Sequence, residues 1–95
     1  MKAYLEDIKT KALPILKEAG VTRSSIFGSY VRGENRKKSD VDILVDLPRG
    51  KSLFDLIDLQ IKLEEVLGKK IDVVTYRSLH PLLRDRILSE QVQIL

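Results

Sequence analysis

Asp40 and Asp42 are separated by a single valine in the stretch Ser39-Asp40-Val41-Asp42-Ile43-Leu44-Val45-Asp46. Val41, Ile43, Val45 and Leu47 alternate with Asp40, Asp42, Leu44 and Asp46, a period of two that predicts a strand over 41–47. On a strand, residues two apart project from one face, which sets the two carboxylates about 6–7 Å apart along the backbone. Two like charges so placed repel each other, and a divalent cation reverses that cost. Mg²⁺ suits such a pair, since it takes one or two carboxylates together with waters and substrate phosphates. A solvated strand face carries aspartates too, and Asp46, at the far end beside a loop, reads that way. Upstream, a strand over 21–27 runs into Gly28-Ser29 and a short helix over 29–33. Glycine allows a tight turn and close approach of backbone to a ligand. The helix start offers free N–H groups to an anion, and the Ser29 hydroxyl can add one more hydrogen bond. A phosphate cradle beside paired carboxylates is the equipment that a nucleoside triphosphate requires.

Composition leaves few alternatives to this chemistry. The chain has no cysteine and one histidine, His80, which excludes thiolate metal sites, disulfides, cysteine nucleophiles and multi-histidine zinc sites. Lys and Arg number 17 against 14 Asp and Glu, a net charge of +3. That excess suits an anionic ligand and is too diffuse to indicate specific nucleic-acid binding. No apolar run approaches the ~20 residues of a membrane span, and the N-terminal segment lacks the apolar stretch of a secretory signal. No membrane association and a cytoplasmic location are expected. The length of 95 residues predicts one domain over 1–95.

The elements that must position these residues follow from periodicity. Leu5, Ile8, Ala12, Ile15, Leu16 and Ala19 share one face of a helix over 2–19, stopped at Gly20. Pro14 inside it must kink the helix or open a second short one. Residues 34–39 form a charged loop. Ser52 caps a helix over 53–67, with Asp55 near the capping-box position and Gly68 as its stop. A third strand covers 70–76, and Pro81 opens a last helix to about residue 90, with Ser78 or His80 before it. The alternation predicts an α/β (α+β) fold, a small mixed three-stranded sheet with helices packed on it.

The spacing Gly28-Ser29, ten residues, then Asp40-Val41-Asp42 resembles the nucleotidyltransferase signature Gly-Ser-x10-Asp-x-Asp. The stretch FGSYVRGENRKKSDVDILVD is similar to the minimal nucleotidyltransferases of the DNA polymerase β-like superfamily. KKIDVVTYRSL supplies Asp72 at that family's third-carboxylate position, and LLRDRILSEQV resembles its closing helix. The resemblance implies that Asp40, Asp42 and Asp72 ligate Mg²⁺, two ions of it, and that Asp72 can accept the nucleophile's proton. It implies that Gly28 and Ser29 hold the triphosphate of ATP. Arg32, one helical turn beyond Ser29, either reaches a β- or γ-phosphate or pairs with Asp40 or Glu34. Asp72 lies between Ile71 and Val73, an unfavourable place for a charge without a partner. The implied reaction is transfer of AMP from ATP to a hydroxyl.

The remaining signals are weaker. Arg36, Lys37 and Lys38 read as a solvated loop that raises local positive potential. Lys69-Lys70 is a signal of the same kind, His80 reads as a helix-start residue, and Tyr30 either contacts substrate or packs. On the helix over 53–67, Leu56, Leu59, Leu63, Val66 and Leu67 form one apolar lobe and Phe54, Ile57 and Ile61 another. The second lobe either meets a partner or is wedged within the chain's own fold. The family resemblance implies an antitoxin whose partner is an all-helical HEPN-domain toxin, modified on a tyrosine. A homo-oligomer is a further possibility. A non-enzymatic toxin-masking module and a small-molecule (antibiotic) adenylyltransferase are the alternatives. Retention of all three aspartates argues against the first, and the lack of an acceptor-binding domain against the second.

Overall fold

A computed structural model describes residues 3–28, Val31 and residues 41–95. The predicted short helix over 29–33 and the charged loop over 34–39 lie outside the described residues, Val31 apart. The chain opens with helix α1 (Ala3–Glu18) and strand β1 (Arg23–Phe27), and continues through β2 (Val41–Asp46) and helix α2 (Leu53–Leu67). Strand β3 (Ile71–Thr75), a 3₁₀ turn (Tyr76–Ser78), helix α3 (Pro81–Glu90) and strand β4 (Val92–Gln93) complete it. The sheet order is β3-β2-β1-β4. Strand β1 runs antiparallel to β2 and to β4, while β2 and β3 are parallel and joined through α2.

The predicted three-stranded mixed sheet is therefore present and extended by a fourth strand. At two residues, β4 is too short to show a period in sequence. It exists because Ser25 pairs with Gln93 and Ile26 with Val92, and because Ile94 N–H donates to Ser24 C=O at 2.8 Å. Helix α1 passes through Pro14, which faces solvent. Proline lacks the N–H that would bond one turn back, and on an exposed flank that lost bond leaves no buried orphan. Helix α2 begins at Ser52, where the Asp55 carboxylate accepts from the Ser52 backbone N–H at 2.8 Å. That hydrogen bond, favouring the ionised form, is the main cause that holds Asp55 below its ordinary value.

One face of the sheet carries the core. Ile26, Val41, Ile43, Val45, Ile71 and Ile94 meet Leu5, Ile8, Ala12 and Leu16 of α1 and Leu59 and Leu63 of α2. The two lobes of α2 separate here. Leu59 and Leu63 are buried, with Leu56 and Leu67 half-buried against them, while Phe54 is 81% exposed, Ile57 46% and Ile61 50%. Val66, placed with the inner lobe by its spacing, stays 40% exposed in the last turn.

The opposite face is tied together by Tyr76. Its hydroxyl shares a 2.9 Å hydrogen bond with the buried Ser25 Oγ and makes a longer contact of 3.4 Å with Gln91 Oε1. The Arg23 guanidinium lies 4.3 Å above its ring centre, within cation–π range. Tyr76 so links the end of β3 to β1 and to the exit of α3, on the face where Leu44 is fully buried. Replacing Tyr76 by Phe leaves the buried Ser25 hydroxyl without this partner. A loss of about 1–2 kcal/mol is expected, a fall in Tm of roughly 5–15 °C for a domain of this size, read by thermal unfolding.

Candidate active site

Gly28 ends β1 at a φ of +80°. An L-residue is strained there, so glycine is the residue that takes the turn without cost. Space imposes the same choice. A Cβ at Gly28 would press into Asp42 Oδ2 and stand 3.3 Å from Asp42 Cγ. The turn continues through a 3.1 Å bond from Val31 N–H to Gly28 C=O.

Register places the carboxylates. Phe27 faces Asp42 across the antiparallel pair, and Asp42 faces Asp72 across the parallel pair. Val41, Ile43 and Ile71 point into the core, so Asp42 and Asp72 project from the other face. Neighbouring strands lie about 4.7–4.9 Å apart, which brings the two aspartates side by side. Both are half-buried. Across this face the order is therefore Asp72, Asp42 and Phe27, with the Gly28 turn at the end of β1.

The structure brings Gly28, Asp42 and Asp72 together. Ser29, Arg32 and Asp40, with Tyr30, Arg36, Lys37 and Lys38, lie outside the described residues. Asp46 stands at the far end of β2, opposite Arg23 in register. His80 is the N-cap of α3, its Nδ1 accepting from Leu82 N–H at 3.1 Å. Lys70 is exposed and Lys69 half-buried just before β3.

Helix α3 adds residues that the sequence reading passed over. Leu83, Arg86, Ile87 and Glu90 join Phe27 and Gly28 around a cleft of about 210 Å³. Their three- and four-residue spacing was the available signal, because it puts them on one flank of a helix. A larger cleft, about 480 Å³, lies between Asp46, Pro48, Leu53 and Arg77, at the other end of the strands from Asp42 and Asp72. Its size does not bring it to the carboxylates.

The donor set fits a hard divalent cation: two oxygen-bearing side chains on one face, with no Cβ over Asp42. Among the described residues no cluster of three or more acidic or imidazole side chains gathers.

This arrangement and the sequence agree on a class. Residues 9–94 match the nucleotidyltransferase domain family, and the chain belongs to it as a nucleotidyltransferase enzyme. The "Putative protein adenylyltransferase" of Methanocaldococcus jannaschii is 58% identical over 96% of this chain and 98% of its own length. Protein adenylyltransferase MntA of Thermococcus cleftensis is 42% identical over 95% and 92%. A solved minimal nucleotidyltransferase superposes with a TM-score of 0.82 at 37% identity, covering 94% of this chain and 91% of its own. A toxin–antitoxin structure with AMP-PNP follows at 0.80 and 25% identity, covering 92% of this chain and 72% of its own.

The contact between Gly28 and Asp42 predicts an energetic coupling. Gly28→Ala should destabilise the wild type by more than the strain of a positive φ alone, of order 1–3 kcal/mol. In an Asp42→Ala background, where the carboxylate no longer blocks the added Cβ, the same change should cost clearly less. Urea unfolding of the four proteins in a double-mutant cycle measures the difference. Additive losses would show that the carboxylate does not constrain the turn.

Proposed function

We propose that this enzyme transfers AMP from ATP to a hydroxyl of a partner protein, a tyrosine of a HEPN-domain toxin, and so acts as its antitoxin. The observation that carries the reading is the register that lines up Gly28, Asp42 and Asp72 on one open face. Support for the acceptor class comes from relatives named as protein adenylyltransferases and from the likeness to a toxin–antitoxin structure with AMP-PNP. The outward lobe of α2, with Phe54, Ile57 and Ile61, supplies apolar surface of the kind that partners cover. Association into a homo-oligomer would use the same kind of surface.

In this reading Gly28 and Ser29 hold the triphosphate, with Arg32 reaching a distal phosphate. Asp40, Asp42 and Asp72 hold Mg²⁺, two ions of it. Bound Mg²⁺ supplies charge neutralisation to phosphate oxygens and to the leaving group. The acceptor oxygen bonds to the α-phosphorus, the bond to the bridging oxygen breaks, and pyrophosphate departs. Asp72, half-buried on edge strand β3, is placed to take the acceptor's proton. Phe27 and α3 occupy the other side of the face, so in this reading the acceptor approaches over the β3 edge.

The test is transfer of label from α-labelled ATP to a HEPN-domain protein. Wild type should transfer in Mg²⁺ and stop on chelation. Asp42→Asn should lose roughly 100-fold or more of the transfer, as expected for removal of charge from a site that stabilises the transition state. Its fold should persist, since the change relieves repulsion between neighbouring carboxylates. Full transfer by Asp42→Asn would overturn the assignment. Toxin neutralisation without label transfer by wild type would indicate masking instead.

A further inference from the structure

The cleft between the Gly28 turn and α3 is not used by the chemistry so far. It lies against Phe27 and Gly28, on the opposite side of Asp42 from Asp72 and the β3 edge. An in-line displacement puts the attacking and leaving oxygens on opposite sides of the α-phosphorus. With that phosphorus over Asp42 and Asp72, one side is the open β3 edge and the other leads to the Gly28 turn and this cleft. The leaving pyrophosphate belongs with the turn, and the acceptor with the open edge. A volume of about 210 Å³ is below the ~300–1,000 Å³ of pockets that enclose whole drug-sized ligands. The cleft suits one part of a nucleotide.

Among the residues lining it, Arg86 carries the positive charge and Glu90 the negative. Arg86 Nε stands 3.4 Å from Glu90 Oε1, one helical turn on. The Arg86 side chain is 65% exposed and is held there by a surface i,i+4 pair, a weak restraint. The guanidinium has five donors, so the four on its terminal nitrogens remain for a second acceptor. A planar fork of this kind matches phosphate oxygens in pairs. We propose that Arg86 is a phosphate-binding residue of this site, holding the β- and γ-phosphates of the nucleotide from the α3 side while Glu90 sets its orientation. The inference rests on the reading of the Gly28 turn as the triphosphate cradle.

Calorimetric titration of the full chain with AMP and with AMP-PNP, both in Mg²⁺, tests it. Arg86→Ala should weaken AMP-PNP binding roughly 10–100-fold, the range for a lost hydrogen bond to a charged group. AMP, which lacks the β- and γ-phosphates, should bind within about twofold of wild type, since no contact assigned to it is removed. Arg86→Lys should recover part of the loss, because it restores the charge without the fork. Circular dichroism checks that α3 stays folded. Unchanged AMP-PNP affinity in a folded Arg86→Ala overturns the inference and leaves the cradle intact. Equal losses for both nucleotides, unrelieved in Arg86→Lys, also overturn it, since they would mean that α3 had shifted. A wild type that binds AMP-PNP no better than AMP would instead overturn the cradle reading beneath it.

Discussion

The close approach of the Asp42 carboxylate to the backbone at Gly28 is the constraint on which the rest of this face depends. A side chain at position 28 would collide with Oδ2, and the positive φ there disfavours one in any case. The two demands reinforce each other. Strand β1 must end where its partner on β2 presents a charge, and the chain must turn away at once. Asp42 is half-buried between Phe27 and Asp72, at the rim of the sheet where water still reaches it.

Around that point the two faces of the sheet divide the work. The core face, covered by α1 and α2, is apolar in its central strand positions apart from the buried Ser24, whose hydroxyl donates to Leu44 C=O at 2.8 Å, and it supplies stability. The other face is polar at its ends, with Leu44 buried in the middle and Tyr76 hydrogen-bonded to Ser25 beside it. Tyr76 also settles where α3 can go, since it joins β3 to β1 and to Gln91 at the helix exit. Helix α3 lies beside Phe27 and Gly28, while β3, which carries Asp72, is the opposite edge strand of the sheet.

Much of this was legible in the sequence. The period-two alternation of 41–47 placed Asp42 on a face opposite Val41, Ile43 and Val45, and strand geometry alone does that. The spacing of Gly28, Ser29, Asp40 and Asp42 pointed to the family because a cradle and a carboxylate pair seldom coincide by chance. The bounds of α2 followed from Ser52 and Gly68, since caps are local, and its two lobes followed from helical spacing. What local pattern could not settle was which lobe faces out: that depends on where the sheet and α1 lie, and it is the Phe54, Ile57 and Ile61 lobe.

Other features needed the tertiary structure for a physical reason: they are relations between segments distant in the chain. Asp72 joins Asp42 through a parallel register reached only after α2 has crossed the sheet. Strand β4 has two residues and no period of its own, and it is a strand because β1 offers it an unpaired edge. The link from Ser25 to Tyr76 spans 51 residues and leaves no trace in either neighbourhood. Arg86 and Glu90 read in sequence as an ordinary helix pair, and only the docking of α3 brings them to Gly28. The sequence by itself determined the residue types, the strand faces and the helix ends, which depend on neighbours a few positions away. Register, edge pairing and the wall of the site were decided by packing, because strand registers and helix docking settle together as one core is buried.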